Sequence, residues 1–245
     1  MIRLPWWRRR PEDWTTELAQ LAESNRNAAP ALRRFYEAGA VAADTPLAEV
    51  PLAALDFETT GLDPRQHAIV SIGLLPFRLA RIRCADARYW VVKPDTGLSD
   101  ESVRFHHITH SEVAQAPPLS QVLAELLDAM AGRVMVVHYR RIERDFLAHA
   151  AHRLLGGRLE FPVIDTMELE ARYHRRPAMA TWRRLRGLPP ASVRLADSRR
   201  RHGLPLYQAH HALTDALATA ELLQAQIVSQ YSPDTAVGEV WAPPG

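Results

Sequence analysis

An α/β protein, a mixed β-sheet flanked by helices, is the fold this sequence predicts, and three observations lead there. Short apolar runs of strand length begin near Leu52, Ala68, Ala87, Arg133 and Phe161, and stretches of helical periodicity separate the later ones. Turn formers punctuate those runs, notably Pro51, Gly61, Pro94, Pro117-Pro118, Gly156-Gly157 and Gly203. Hydrophobic residues make up 47% of the 245, enough for one substantial domain with room for an appendage.

Residues 1–46 read as an appended helical segment. Trp14, Leu18, Leu21 and Ala22 recur at helical spacing, and Pro30 opens a second helix that Gly39 can end. A cap packed on the main domain is the expectation. Contact of Trp6, Trp7 and Arg8 to Arg10 with nucleic acid or a membrane surface is the alternative. The main domain spans 47–231. Its first strand runs through Leu52-Ala53-Ala54-Leu55-Asp56-Phe57-Glu58 toward the turn at Gly61. Runs at 68–75 and 87–92 follow as strands, then a helix from Leu119 to about Ala131, a buried strand at 133–138, and a helix to about Leu155. A short strand at 161–164 leads into Asp165-Thr166, a helix cap by composition. Helices are expected from Ala191 to His202 and from His211 to Tyr231, and the proline-containing tail 232–245 is expected to be loose.

Composition excludes several classes. No apolar run approaches the length of a membrane span, and the first residues lack an apolar stretch followed by a small-residue cleavage site. Cys84 is the only cysteine, so no disulfide or cysteine zinc site forms within one chain, and a cytoplasmic protein is expected. The net charge of +2 conceals an asymmetry, because arginines crowd between Arg172 and Arg201.

Chemistry enters with Asp56 and Glu58. Strand side chains alternate, so these two acids share one face while Leu55 and Phe57 share the other. Paired carboxylates ending a buried strand repel each other and resist desolvation, and a divalent cation between them is the simplest remedy. Asp215 lies on the last helix among Ala212, Ala216, Ala218 and Ala220, small residues that let a helix approach a sheet closely. His210 and Asp215 would diverge by about 140° on a helix, so His210 belongs to the lead-in loop. On the helix after His138, Glu143 and Asp145 lie about 200° apart. Glu143 falls amid Ile142, Phe146, Leu147 and Ala150, whereas Asp145 falls among Arg141, Arg144 and His149. An acid on an apolar face needs a cation; one on a polar face needs nothing. Glu143 is therefore the expected ligand.

Asp56-Phe57-Glu58-Thr59-Thr60-Gly61, the stretch from His138 to Leu147, and His210-x4-Asp215 closely resemble the three motifs of the DEDDh 3'-5' exonucleases, the DnaQ-like group that includes the proofreading epsilon subunit of bacterial DNA polymerase III. The resemblance covers roughly Leu52 to Leu223. Phe105-His106-His107-Ile108-Thr109 is similar to the family's His-Gly-Ile-Thr segment, with His107 in place of the glycine. In the second motif Glu143 stands where the family has aspartate, and Tyr139 stands where it has asparagine.

The resemblance implies a ribonuclease H-like fold with a five-stranded mixed sheet. It implies two Mg²⁺ or Mn²⁺ ions about 4 Å apart. Asp56 would bridge them, Glu58 and Asp215 would complete the first site, and Glu143 would support the second. His210 would act as general base, with the backbone near Thr59 and Gly61 and the side chain of His106 against the substrate. The implied reaction releases nucleoside 5'-monophosphates from single-stranded DNA 3' ends, with replication or repair proteins as possible partners. The arginines at 172, 175, 176, 183, 184, 186 and 199 to 201 could form a phosphate track, or simply a solvated face. Two other readings stay open: an exoribonuclease trimming short RNA or tRNA ends, and a non-catalytic nucleic-acid binding module whose site Glu143 impairs.

Overall fold

The computed structural model describes residues 13–94, 110–187 and 189–244. Trp6, Trp7, Arg8 to Arg10 and the whole Phe105 to Thr109 segment, His106 included, lie outside the described residues. Two helices come first, α1 (Trp14–Ser24) and α2 (Pro30–Glu37). Asp13 caps α1 by accepting from the Thr15 amide, and Pro30 opens α2, where a missing N–H costs nothing. Their apolar faces, with Trp14, Leu18, Leu32 and Phe35, are buried in the same core as the sheet.

The sheet begins with β1 (Leu52–Thr59), β2 (Ile69–Arg78), β3 (Arg81–Ile82) and β4 (Arg88–Val91). Helices α3 (His110–Gln115) and α4 (Leu119–Met130) lead to β5 (Val134–Val137) and α5 (Arg141–Leu155). Gly156 ends α5 at φ +69°, a left-handed C-cap. Then come β6 (Val163–Asp165), α6 (Thr166–His174), α7 (Pro177–Leu185), α8 (Leu195–Arg201), α9 (Ala212–Gln230) and β7 (Trp241–Ala242). The strand order is β3-β2-β1-β5-β6-β7, with β4 also paired to β2. β1 and β5 run parallel, as do β5 and β6, while β2 is antiparallel to β1. This is a mixed sheet between helices, the ribonuclease H-like arrangement.

Three expectations need correction. The sheet has seven strands rather than five, because the two-residue β3 and β7 extend its edges. The tail is not loose: Val237 and Val240 are buried, and β7 pairs with the edge of β6 through Val163↔Ala242 and Ile164↔Trp241. The Trp14 indole donates to the Ala242 carbonyl at 3.2 Å, and Arg144 donates to the Pro243 carbonyl at 2.8 Å. Burying those apolar residues and satisfying an open strand edge outweighs the prolines' preference for irregular chain. Finally, the helix expected from Ala191 starts only at Leu195, and α7 precedes it. Among the described residues no helix is long and apolar enough to cross a membrane.

Candidate active site

The site forms where the end of β1 meets the first turn of α9. Asp56 lies opposite Gly73 of β2 and Glu58 opposite Ser71, and the β1–β2 register shifts between Glu58 and Thr59. Such a bulge re-aims the chain at the strand's end. Here the extra residue is Val70 of β2: Thr59 still pairs with Ile69, and Thr60 carries the chain into the turn at Gly61. Thr59 Oγ1 donates to the Gly61 carbonyl at 2.8 Å, and the Ala68 amide donates to Thr60 Oγ1 at 3.0 Å. A Cβ on Gly61 would run into the His67 ring, so the turn packs closely at that point.

Helix α9 approaches this strand end nearly backbone to backbone. A Cβ on Gly73 would collide with main-chain atoms of Ala212 and Leu213. Only glycine permits this contact, and it brings Asp215 in the first turn of α9 onto the β1 carboxylates. Carboxylate oxygens of Asp56, Glu58 and Asp215 lie within 4.8 Å of one another. A glycine inside a strand pattern is the sequence sign of such an approach. The alanines of α9 are therefore only half of the close contact, and Gly73 of β2 is the other half.

Burial pushes the Asp56 carboxyl well above the ordinary range, and the nearby charges of Glu143, Asp215 and Glu58 push it further. Asp215 is raised as well, first by burial. The His210 backbone N–H, donating to Asp215 Oδ2 at 2.8 Å, works against that rise. His210 is exposed and adopts φ +72°, a conformation that aims its amide at Asp215. His211 caps α9 by accepting from the Thr214 amide at 3.4 Å.

Glu143 stands on α5 at 2% exposure, with Oε2 buried and unpartnered. It influences Asp56 electrostatically but is not part of the trio that converges within 4.8 Å. Burial, then the charge of Asp165, holds its carboxyl well above the usual range. Asp145 is half exposed and faces Arg141 at 3.9 Å. Of the two acids on this helix, Glu143 turns inward and Asp145 faces solvent.

The entry to α5 is held from outside its own sequence. Asp165 Oδ1 accepts from the Tyr139 amide at 3.1 Å and Oδ2 from the Arg140 amide at 3.0 Å. The same carboxylate caps α6 through Met167 and Glu168. Tyr139 takes φ +89°, where a non-glycine side chain is strained and asparagine is tolerated best. His138 bridges Thr166 Oγ1 at 2.8 Å and the Val193 carbonyl at 2.9 Å. The cap at Asp165 is local and legible in the sequence; its second task spans 26 residues and exists only because β5 and β6 pair.

Oxygen donors alone, closely spaced and electrostatically frustrated, suit a hard divalent cation. The unpartnered Glu143 Oε2, buried beside them, is what such an ion would satisfy. Fold and acidic centre together define a nuclease of the ribonuclease H-like class.

Comparison with known proteins narrows the class. The chain belongs to the RNase_T exonuclease family, whose model matches residues 53–223. It is 28% identical over 179 residues to the PolC-type DNA polymerase III of Thermotoga maritima, a match covering 73% of this chain and 12% of that protein. It is 26% identical over 179 residues to the DNA polymerase III epsilon subunit of Treponema pallidum, covering 73% of this chain and 77% of that one. The chain thus spans about an eighth of the PolC-type relatives it matches. Among solved structures, the nuclease domain of 3'hExo, a DEDDh family member bound to rAMP, superposes with a TM-score of 0.60 at 18% identity, covering 74% of this chain and 92% of that domain. Exonuclease X in complex with 5' overhanging duplex DNA gives 0.55 at 22% identity, covering 76% and 97%.

Proposed function

We propose that this chain is a divalent-metal-dependent 3'-5' exonuclease, releasing nucleoside 5'-monophosphates from single-stranded DNA 3' ends. One observation carries the reading: three carboxylates from β1 and α9 converge within 4.8 Å, with a fourth buried on α5, its Oε2 unpartnered. Asp56, Glu58 and Asp215 would hold one Mg²⁺ or Mn²⁺, and Glu143 with Asp56 a second. Bound there, such ions supply an activated water and neutralise charge on the leaving oxygen.

The chain's own residues do the rest. His210 takes the proton of the attacking water, and its tether to Asp215 keeps it at the rim of the site. Main chain from Thr59 to Gly61, pinned by the Thr59 hydroxyl, lines the place of the terminal nucleotide. His106 is assigned to the strand from the resemblance alone. The replication proteins among the relatives make a replication or repair partner the natural setting, and the lone exposed Cys84 suits a reducing cytoplasm.

End-labelled DNA and RNA oligonucleotides, single and double stranded, with Mg²⁺ or Mn²⁺, test this. Stepwise shortening of DNA from the 3' end is expected, abolished in Asp56→Ala and Asp215→Ala. Preferential trimming of RNA would reassign the substrate. Binding without turnover in either metal would make the chain a non-catalytic nucleic-acid module.

A further inference from the structure

Ten of the chain's 30 cationic residues, and one of its 28 acids, lie between Arg172 and Arg201; elsewhere acids outnumber cations. Part of this cluster is structural. Arg172 pairs with Glu168, Arg200 with Asp197, and Arg201 with Glu170, while the buried Arg199 is spent on Glu221 and the carbonyls of Pro205 and Ala218. Of the six arginines that remain, Arg175, Arg183 and Arg184 line, together with His174, a cleft of about 620 Å³ between α6, α7 and the chain that follows them. Pro190 and Val193 contribute apolar surface. Arg183 donates through Nε and Nη2 to the Pro189 carbonyl, which holds the far wall in place. Arg175 and Arg184 are exposed and have no acidic partner among the described residues.

A pocket of this size with two uncompensated guanidinium groups is built for anions, and arginine's fork suits phosphate oxygens in particular. Its place in the fold says which anion. The Val193 carbonyl on its wall accepts from His138 Nε2 at 2.9 Å, and His138 directly follows β5. In the parallel register Leu52 faces Val134, so Asp56, four residues on, is level with His138. Val193, on the wall of the cleft, therefore lies about one strand spacing plus one histidine side chain from Asp56, on the order of 10 Å. On the same helix, half-exposed Trp182 carries the Arg186 guanidinium 5.1 Å above its ring, an aromatic surface of the kind on which unpaired bases stack.

We infer that this cleft holds the phosphodiester backbone of the strand several nucleotides upstream of the 3' end, so that long substrates bind tighter than short ones. The inference rests on the exonuclease reading above, and the test separates the two.

Full-length protein and its Arg175→Gln/Arg184→Gln variant are compared on a dinucleotide and on a single-stranded 20-mer over a series of salt concentrations. The variant should raise KM for the 20-mer about tenfold and leave kcat and dinucleotide turnover unchanged. It should also flatten the dependence of log KM on log salt by about 1.4, the share of two phosphate contacts on a single strand. An unchanged 20-mer KM and salt slope overturns the cleft while hydrolysis stands, as does an equal loss on both substrates. If the wild type hydrolyses neither substrate with either metal, the exonuclease reading fails. The cleft is then judged by fluorescence anisotropy of the same 20-mer: a tenfold weaker Kd with the flatter salt slope supports it, and equal binding overturns it.

Discussion

Gly73→Ala puts the geometry of the centre under direct test. The added Cβ would sit inside 3.0 Å of backbone atoms of Ala212 and Leu213, where ordinary contact begins at 3.4 Å. Those neighbours are main chain, so no rotamer change relieves the clash. Either α9 lifts from the sheet or β2 bows, by on the order of 1 Å. Overpacking of this kind costs ~2 kcal/mol, or a fall in Tm of ~4–8 °C for a domain of this size. The functional loss should be larger. Asp215 rides two residues beyond the contact, and a displacement near 1 Å at a reacting centre can cost about a hundredfold in rate. Thermal unfolding, Mn²⁺ titration by calorimetry and oligonucleotide shortening would be measured on the same preparation. The expected pattern is a folded protein, weakened Mn²⁺ binding and activity down by about two orders of magnitude. A variant with the lowered Tm but wild-type Mn²⁺ affinity and rate would refute the claim that this close approach places Asp215.

Other outcomes follow from single contacts. Glu143→Gln should nearly abolish metal-dependent turnover while raising stability, since it replaces a buried carboxyl with an unpartnered oxygen by a neutral amide; Asp145→Asn should match the wild type in rate and Tm. Tyr139→Asn should raise Tm by ~2–3 °C, because asparagine tolerates the φ of +89° at a cost roughly 1 kcal/mol lower. Glu170, buried between α6, α8 and α9, sets an acid limit. Burial pushes its carboxyl up, but hydrogen bonds from His202, Gln226 and Arg201 outweigh that and hold it at about 2, against an ordinary 4.5. Its folded pKa is depressed, so its contribution is complete above the unfolded value of 4.5 and is lost as pH falls toward 2. At most ~3 kcal/mol disappears across that window, less where solvent at the rim screens the cluster. Glu170→Gln should be less stable at pH 7 and should lose less stability on acidification, measured by urea unfolding at a series of pH values.

Much of this protein is local and therefore readable from its residues alone. Alternation on β1 puts Asp56 and Glu58 on one face, helical periodicity turns Glu143 inward and Asp145 outward, and Pro30 and Asp165 open their helices where such residues usually do. Each of those depends on neighbours within a turn or a pleat. Tertiary structure decided the rest. Gly73 matters only because α9 lands on it from more than a hundred residues away, and Asp165 steers Tyr139 only because β6 lies beside β5. The tail became β7 because the edge of β6 was open and Trp14 waited below it, facts that no window of the tail contains. Periodicity reports which way a side chain points; what it meets there depends on how distant segments pack.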